Sequence, residues 1–349
     1  MKQIVFLICF LLSFGQGMGA TLSVCSSGCD YTTIAAAMSA AVSTDIVELR
    51  GNISEEVVLN KNIAGIQGDS PTSRRTWNST SAGDVFQIQS GLNQAMTVKD
   101  LIMVQDTDAA IIWQPTSGAS SAIRFENVQF SYSTARARHF YYNSNGNHLG
   151  MVTFNRCEFI GNGSASGAMN FDVATNTGAV TVMNSIFRGF TAANAYGIRM
   201  NQNTSNASLY NLNNTFYGNS VGVSLLGRAV HTNCVFGGNT DDLGLGGSPV
   251  TVLDFSYCAF AEQAGTGGTF GSGCIFGITV GNEFVNTATP DLHVKNASAQ
   301  IYNSGTTLAA VTTDFDGIAR PQGAAYDIGA FEFLALGGGK IYNRQRRGH

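Results

Sequence analysis

The chain has 349 residues, of which 12% are charged, and its formal net charge is −4. That is about half the usual charged share, and Gly, Asn, Ser, Thr and Ala fill the space. The 22 Phe and 11 Tyr exclude a disordered chain, and the acidic balance, with no basic cluster before the C-terminal tail, excludes nucleic acid as a partner.

The first predicted element is a targeting segment. Lys2, an apolar run over Ile4–Leu12 and small residues from Gly15 to Ala20 follow the order of a secretory signal peptide, expected over residues 1–20. The run is short for a bilayer span, and no later stretch is long and apolar enough, so a secreted or cell-surface protein without a transmembrane segment is expected. Next, Cys25 and Cys29 in "CSSGC" are spaced for a small local disulfide, which an exported chain can form. "DYTTIAAAMSAAVS" predicts an amphipathic helix over about residues 31–43, with Ile34, Met38 and Ala41 on one face. The following residues read as opening coils, with Val47, Leu49, Val57, Leu59, Ile63 and Ile66 inward.

A repeat then takes over: "NVQF", "RCEFIGN", "NSIFRG", "NNTFYGN", "NCVFGGN" and "YCAF". Their phenylalanines, at 130, 159, 187, 216, 236 and 260, are 29, 28, 29, 20 and 24 residues apart. Such a period marks a solenoid, in which each turn buries its apolar face on the next. Alternating stretches such as Ile123–Glu126, Val152–Asn155 and Ala179–Val182 read as strands. Helical solenoids need long runs of helix formers, leucine-rich repeats need their leucines, and propellers need a longer period; none fits. The predicted fold is all-β: a right-handed, single-stranded parallel β-helix of about ten coils over residues 21–334, with an N-terminal capping helix.

Alignment on Phe assigns each column a role. The rings stack inside the tube. Two positions earlier, Val128, Cys157, Ser185, Asn214, Cys234 and Cys258 form a small inward column, in which the cysteines read as free thiols. Before that column, Asn127, Asn184, Asn213 and Asn233 suit left-handed turns, and their amides can bond the coils above and below. The outward strand positions, Gln129, Glu158, Ile186, Thr215, Val235 and Ala259, form a bland series.

The cap, the N-x-x-F-x-G-N coils and the segments "FVNTATPDLHVKNASAQIYNSG" and "TDFDGIARPQGAAYDIGAFEF" resemble the pectin-lyase-like family of secreted parallel β-helix proteins. The resemblance covers about residues 21–334 and is closest in the D-x-D-G…R-P…D-I-G-A-x-E run of bacterial members. It implies a structural closing motif in which Asp316, Arg320, Asp327 and Glu332 take part, with Arg320, Asp327 and Glu332 pairing. It does not imply one function, because the family holds lyases, hydrolases, epimerases, adhesins and phage tailspikes.

A lyase on this scaffold needs a base and a group that neutralises a uronate, and a hydrolase needs paired carboxylates. Lysine is absent between Lys99 and Lys295, and the one adjacent acidic pair in the repeats, Asp241-Asp242, reads as a turn. Asp314 and Asp316 in "DFDG" resemble a fragment of a Ca²⁺ loop without the rest of it; no cofactor is otherwise expected. The stretch "STARARHFYYNSNGNHLG" holds Arg136, Arg138, His139, Tyr141, Tyr142 and His148. Arginine binds carboxylates and aromatic faces stack on sugars, so these residues are the candidate contact with a polysaccharide or cell-surface glycan; the alternative is a loop packed along the flank. His231 reads as an outward strand residue. Residues 335–349 read as a glycine-rich hinge and basic tail, in which Lys340, Arg344, Arg346 and Arg347 form either a solvated tail or a docking element for an acidic surface. The preferred function is a non-catalytic adhesin-like or structural module that binds glycan. A polysaccharide lyase, less readily a glycoside hydrolase, is the alternative, and a trimeric or filamentous virion fibre or decoration protein is the third.

Overall fold

The computed structural model describes residues 19–334 apart from 81–83, 89–94, 106–110, 114–121, 133–137, 145–150, 164–166, 174–178, 203–207, 227, 246–252 and 263–268. It is a parallel β-solenoid with three sides. The first sheet has 11 strands, from Thr21–Val24 to Thr269–Phe270; the second has 10, from Ile53–Ser54 to Ile275–Phe276; the third has 8, from Val57–Leu59 to Asp241–Leu245. Among the described residues the third sheet limits the complete coils to 8, fewer than the ten expected. Thr21–Val24 leads into the cap helix instead of a second side, and among the described residues the two final turns have strands on the first two sheets only.

The cap helix runs Ile34–Ala40, with Thr33 accepting from the Ala36 N–H at 3.2 Å. It is shorter than expected because Ala41 is already extended. The carboxylate of Glu55, on the first complete coil, accepts from the Ile34 and Ala35 N–H groups, so the helix start is tied to the tube it seals. Ile34, Ala37, Met38 and Ala41 face the interior, as do all six apolar residues expected of the opening coils. Cys25 and Cys29 form a disulfide.

The corner between the first and second sheets is left-handed in coil after coil: Asp100, Asn127, Arg156, Asn184, Asn213, Asn233 and Tyr257 have φ between 48° and 59°. Asparagine tolerates this conformation because its short side chain bonds locally. It also ties coils together, Asn127 donating to Asp100 at 2.7 Å and Asn233 to Asn213 at 3.2 Å. Immediately inside, the phenylalanines stack with centroids 4.7–5.1 Å apart from Phe130 to Phe260, the spacing of neighbouring strands. Strand register extends the column back to Met103 and Trp77 and forward to Phe276. The small column carries its own bonds: the thiols of Cys157, Cys234 and Cys258 each point at a carbonyl of the preceding coil. Cys274, two residues before Phe276, continues the same column. Asn214 accepts from the Ser185 N–H at 2.8 Å and donates to Val182 O at 2.9 Å, so its buried amide is satisfied.

After Phe276 the chain turns back and lies along the outside of the second sheet. Ile278, Phe284, Leu292, Ile301, Phe315 and Phe331 of this closing segment cover the outward Ile186, Val235 and Ala259. The outward series from Ile186 onward is therefore a second, buried interface, while Gln129 and Glu158 stay partly exposed. Asn213 and Asn233 extend the stitching by donating to Asp327 O and Thr306 O.

Candidate functional site

Two surfaces gather ionisable or aromatic side chains. The first lies on the closing segment. Arg320 and Glu332 form a buried ion pair at 2.6 Å, and Arg320 also donates to the carbonyls of Asp327 and Gly329. The Asp327 carboxylate does not take Arg320, contrary to the expected three-way pairing. Its oxygens accept from the Asn303 and Phe333 N–H groups, both at 2.6 Å, because the chain reversal leaves those donors without a strand partner. Asp314 is likewise a backbone anchor, accepting from Ile318 and Glu332 N–H. Burial lifts the Asp314 and Asp327 carboxyls to about 6, against the backbone bonds that pull them down. Asp316 points elsewhere, to His293 Nε2 at 2.8 Å, while Asp291 holds His293 Nδ1. Burial alone would lower His293, but the two carboxylates outweigh it and hold the imidazole up at about 9. Asp314 and Asp316 therefore do not converge as Ca²⁺ ligands. Among the described residues no cluster of three or more His, Cys, Asp or Glu is placed to hold a metal ion. The acids and bases of this surface are engaged with one another and with the backbone, which makes it a fastening.

The second surface is the outer face of the third sheet. Strand Arg138–Ser144 carries Arg138 and Tyr141 outward, with the guanidinium carbon 4.6 Å from the ring centroid. Register places Tyr141 beside Asn170 and Asn170 beside Arg199. Arg199 is exposed and lies over Tyr196 at 5.6 Å. The Tyr196 ring crosses the neighbouring strand where Gly167 offers no side chain: a Cβ there would sit 2.3 Å from the ring. Two arginine–tyrosine pairs thus lie two rungs apart on one side, about 10 Å at the strand spacing; Arg199 is exposed and Arg138 and Tyr141 partly so, whereas Tyr196 and the intervening Asn170 are buried. Each guanidinium lies over a tyrosine ring, whose negative face attracts the cation.

The remaining candidates of that stretch separate. His139 is fully buried, so it is no glycan contact. It occupies the corner position that carries Ala168 and Gly197 in the following coils, which points at the ring stack; a Cβ on Gly197 would meet the Phe216 ring at 2.9 Å. The imidazole stacks on Tyr132 at 3.9 Å, lies 3.0 Å from Ile160 O, and is pushed down to about 3 by burial. Arg136, His148 and the Tyr142 side chain lie outside the described residues, as do the tail residues Lys340, Arg344, Arg346 and Arg347. His231 is buried too, correcting the outward reading. It stacks on Phe255 at 4.5 Å in the inward column of the first sheet, with Nδ1 3.2 Å from the Asn211 amide nitrogen, and burial lowers it to about 3. Asp241 and Asp242 open the strand Asp241–Leu245, correcting the turn reading; the buried Asp242 carboxylate accepts from Asn239 at 2.9 Å and from the Glu262 N–H of the next coil at 3.1 Å.

Arg199 and Tyr196 escaped the motif reading, although a signal for Arg199 exists. The 29-residue step from Phe130 to Phe159 also carries Tyr141 to Asn170 and Asn170 to Arg199. Nothing in the sequence pairs His293 with Asp316, because the turn that joins them is set by the Asp314 anchors.

No family model matches the chain, and no curated protein matches it in sequence. Among solved structures, the crystal structure of pectate lyase Pel9A is similar at 14% identity and a TM-score of 0.42, covering 90% of this chain and 97% of that one. ORF18 of Geobacillus virus E2 is similar at 13% identity and a TM-score of 0.34, covering 66% and 52%. Both scores are too low to carry a functional argument, and the solenoid rests on its own strand pairings.

Proposed function

We propose that the chain is an extracellular, non-catalytic β-solenoid that binds an acidic glycan along the outer face of its third sheet. The observation that carries this reading is the pair of arginine–tyrosine stacks, Arg138 over Tyr141 and Arg199 over Tyr196, set two rungs apart on one side. Each guanidinium offers forked donors to a carboxylate, and the partly exposed Tyr141 ring offers a platform to a sugar. The Cys25–Cys29 disulfide suits an oxidising compartment and so supports export.

The test is binding of the purified chain to a panel of neutral and uronate-bearing polysaccharides by calorimetry, with ultraviolet absorbance followed in parallel for unsaturated products. Binding to acidic members only, weakened at least tenfold in Arg138→Ala and Arg199→Ala, is the expected result. Equal binding by both variants would overturn the assignment of the face. Steady release of unsaturated or reducing product would replace the reading with a lyase or a hydrolase.

A further inference from the structure

The two ends of the tube differ. At the N-terminal end the helix Ile34–Ala40 covers the interior, its own Ile34 and Ala37 fully buried on the inward face. At the other end, strands Thr269–Phe270 and Ile275–Phe276 are the last members of their sheets and pair on one side only. The aromatic columns arrive there without a cover among the described residues. Phe236, Phe260 and every earlier stacked ring back to Phe130 are fully buried, whereas Phe276 is 44% exposed and Phe270, Cys274 and Ile275 are partly exposed. Phe276 stacks beneath on Phe260 at 5.4 Å and meets Phe270 edge-on at 5.2 Å, so the two rings form one apolar platform.

The chain does not fold back over this platform as it leaves. The Ile278 N–H donates to Phe260 O, and Val280 lies where a Cβ on Gly237 would touch it. The exit therefore runs backward, down the outside of the second sheet. The described residues of the last turn, Thr269 to Asn282, carry no Asp, Glu, Lys or Arg; the nearest exposed charges are Glu262, just before that turn, and Asp241, on the last strand of the third sheet.

We infer that this end is an interface between two copies of the chain, joined tail to tail across a twofold axis. An open strand edge beside exposed aromatic rings demands either a cap or a partner. The surface with matching chemistry, neutral, aromatic and edged with unpaired strands, is the same end of a second molecule. A twofold axis across the end, perpendicular to one of the two terminal strands, sets that strand antiparallel to its own copy and brings the aromatic platform against its copy, with the uncharged last turn at the centre. The helix-capped end cannot take part, so association stops at two copies. This differs from the trimer or filament that a fibre role requires. The paired edges are only two residues long, so a weak dimer is expected, with a dissociation constant on the order of 10–100 µM.

Sedimentation of the full chain over a concentration series tests this. The expected result is a monomer–dimer equilibrium that Phe276→Asp shifts at least tenfold toward monomer, with the thermal midpoint close to wild type because Phe276 is already half in solvent. A second readout needs no substitution at the stack. Among the described free thiols, Cys157, Cys234 and Cys258 are buried and Cys274 is partly exposed, so a short bismaleimide should give a covalent dimer that Cys274→Ser abolishes. A wild-type chain that stays monomeric across the series, without a cross-linked product, would overturn the inference. So would growth beyond two copies. So would a chain ending at Leu334 that dimerises where the full chain does not, since residues 335–349 would then be the cover.

Discussion

His231 gives a prediction whose size follows from its surroundings. The imidazole lies inside the tube between Asn211 and Phe255, fully buried, with Nε2 lacking a hydrogen-bond partner. Burial holds its folded pKa at about 3 against the ordinary 6.5. Between those values the unfolded chain binds a proton that the folded chain refuses, so stability falls as pH drops from 6.5 and levels off near 3. Each pH unit is worth about 1.4 kcal/mol, and the whole window about 5 kcal/mol. His231→Phe would extend the Phe255–Phe270 stack and remove this dependence. At pH 7.5 the two proteins should agree to within about 1 kcal/mol, since loss of the Asn211 contact offsets removal of the unpaired nitrogen. At pH 4.5 the variant should be the more stable by about 2.7 kcal/mol. The comparison must be between the two proteins, because Asp314 and Asp327 act oppositely. Their folded pKa values near 6 lie above the ordinary 3.8, so the folded state takes up their protons first and gains stability as pH falls. The assay is urea unfolding followed by tyrosine fluorescence at several pH values. A difference that does not change with pH would refute the reasoning, because it would mean that His231 titrates alike in both states.

Three further outcomes follow from the columns and the closing segment. Phe187→Ala, in mid-stack between Phe159 and Phe216 at 4.7 Å on each side, should cost about 3–5 kcal/mol in the same unfolding assay. Asn214→Ala should cost about 1–3 kcal/mol by leaving the Ser185 N–H and Val182 O unpaired; Asn214→Cys should cost less, because Cys157 and Cys234 already bond a preceding carbonyl from that column. Arg320→Met leaves Glu332 charged and buried, a loss of about 3–5 kcal/mol; amide hydrogen exchange should show residues 300–334 opening before the coils do.

Much of the tube was legible in the residues themselves. The phenylalanine spacing, the small column two positions earlier and the asparagines before it each answer to a local demand: a ring at strand spacing, room at a corner, a left-handed turn. Those demands recur in every coil, so they are written into the sequence as a period. The Arg138–Tyr141 contact was half legible, because the residue types were visible but not which of them would face out. His139 shows why: at a corner two consecutive residues, His139 and Phe140, both turn inward, and strict alternation fails.

What the sequence alone determined is the repeating interior, because backbone conformation and apolar pattern are short-range properties of each coil. What only the tertiary structure decided is which outward positions are surface. Ile186, Val235 and Ala259 lie under a segment 19 to 145 residues away, His231 lies inside because register aligns it with Phe255, and Arg199 meets the row of Tyr141 through two successive pairings. Such contacts have no period, since they depend on how a non-repeating segment and loops of unequal length return to the tube. The candidate binding face is built from contacts of that second kind.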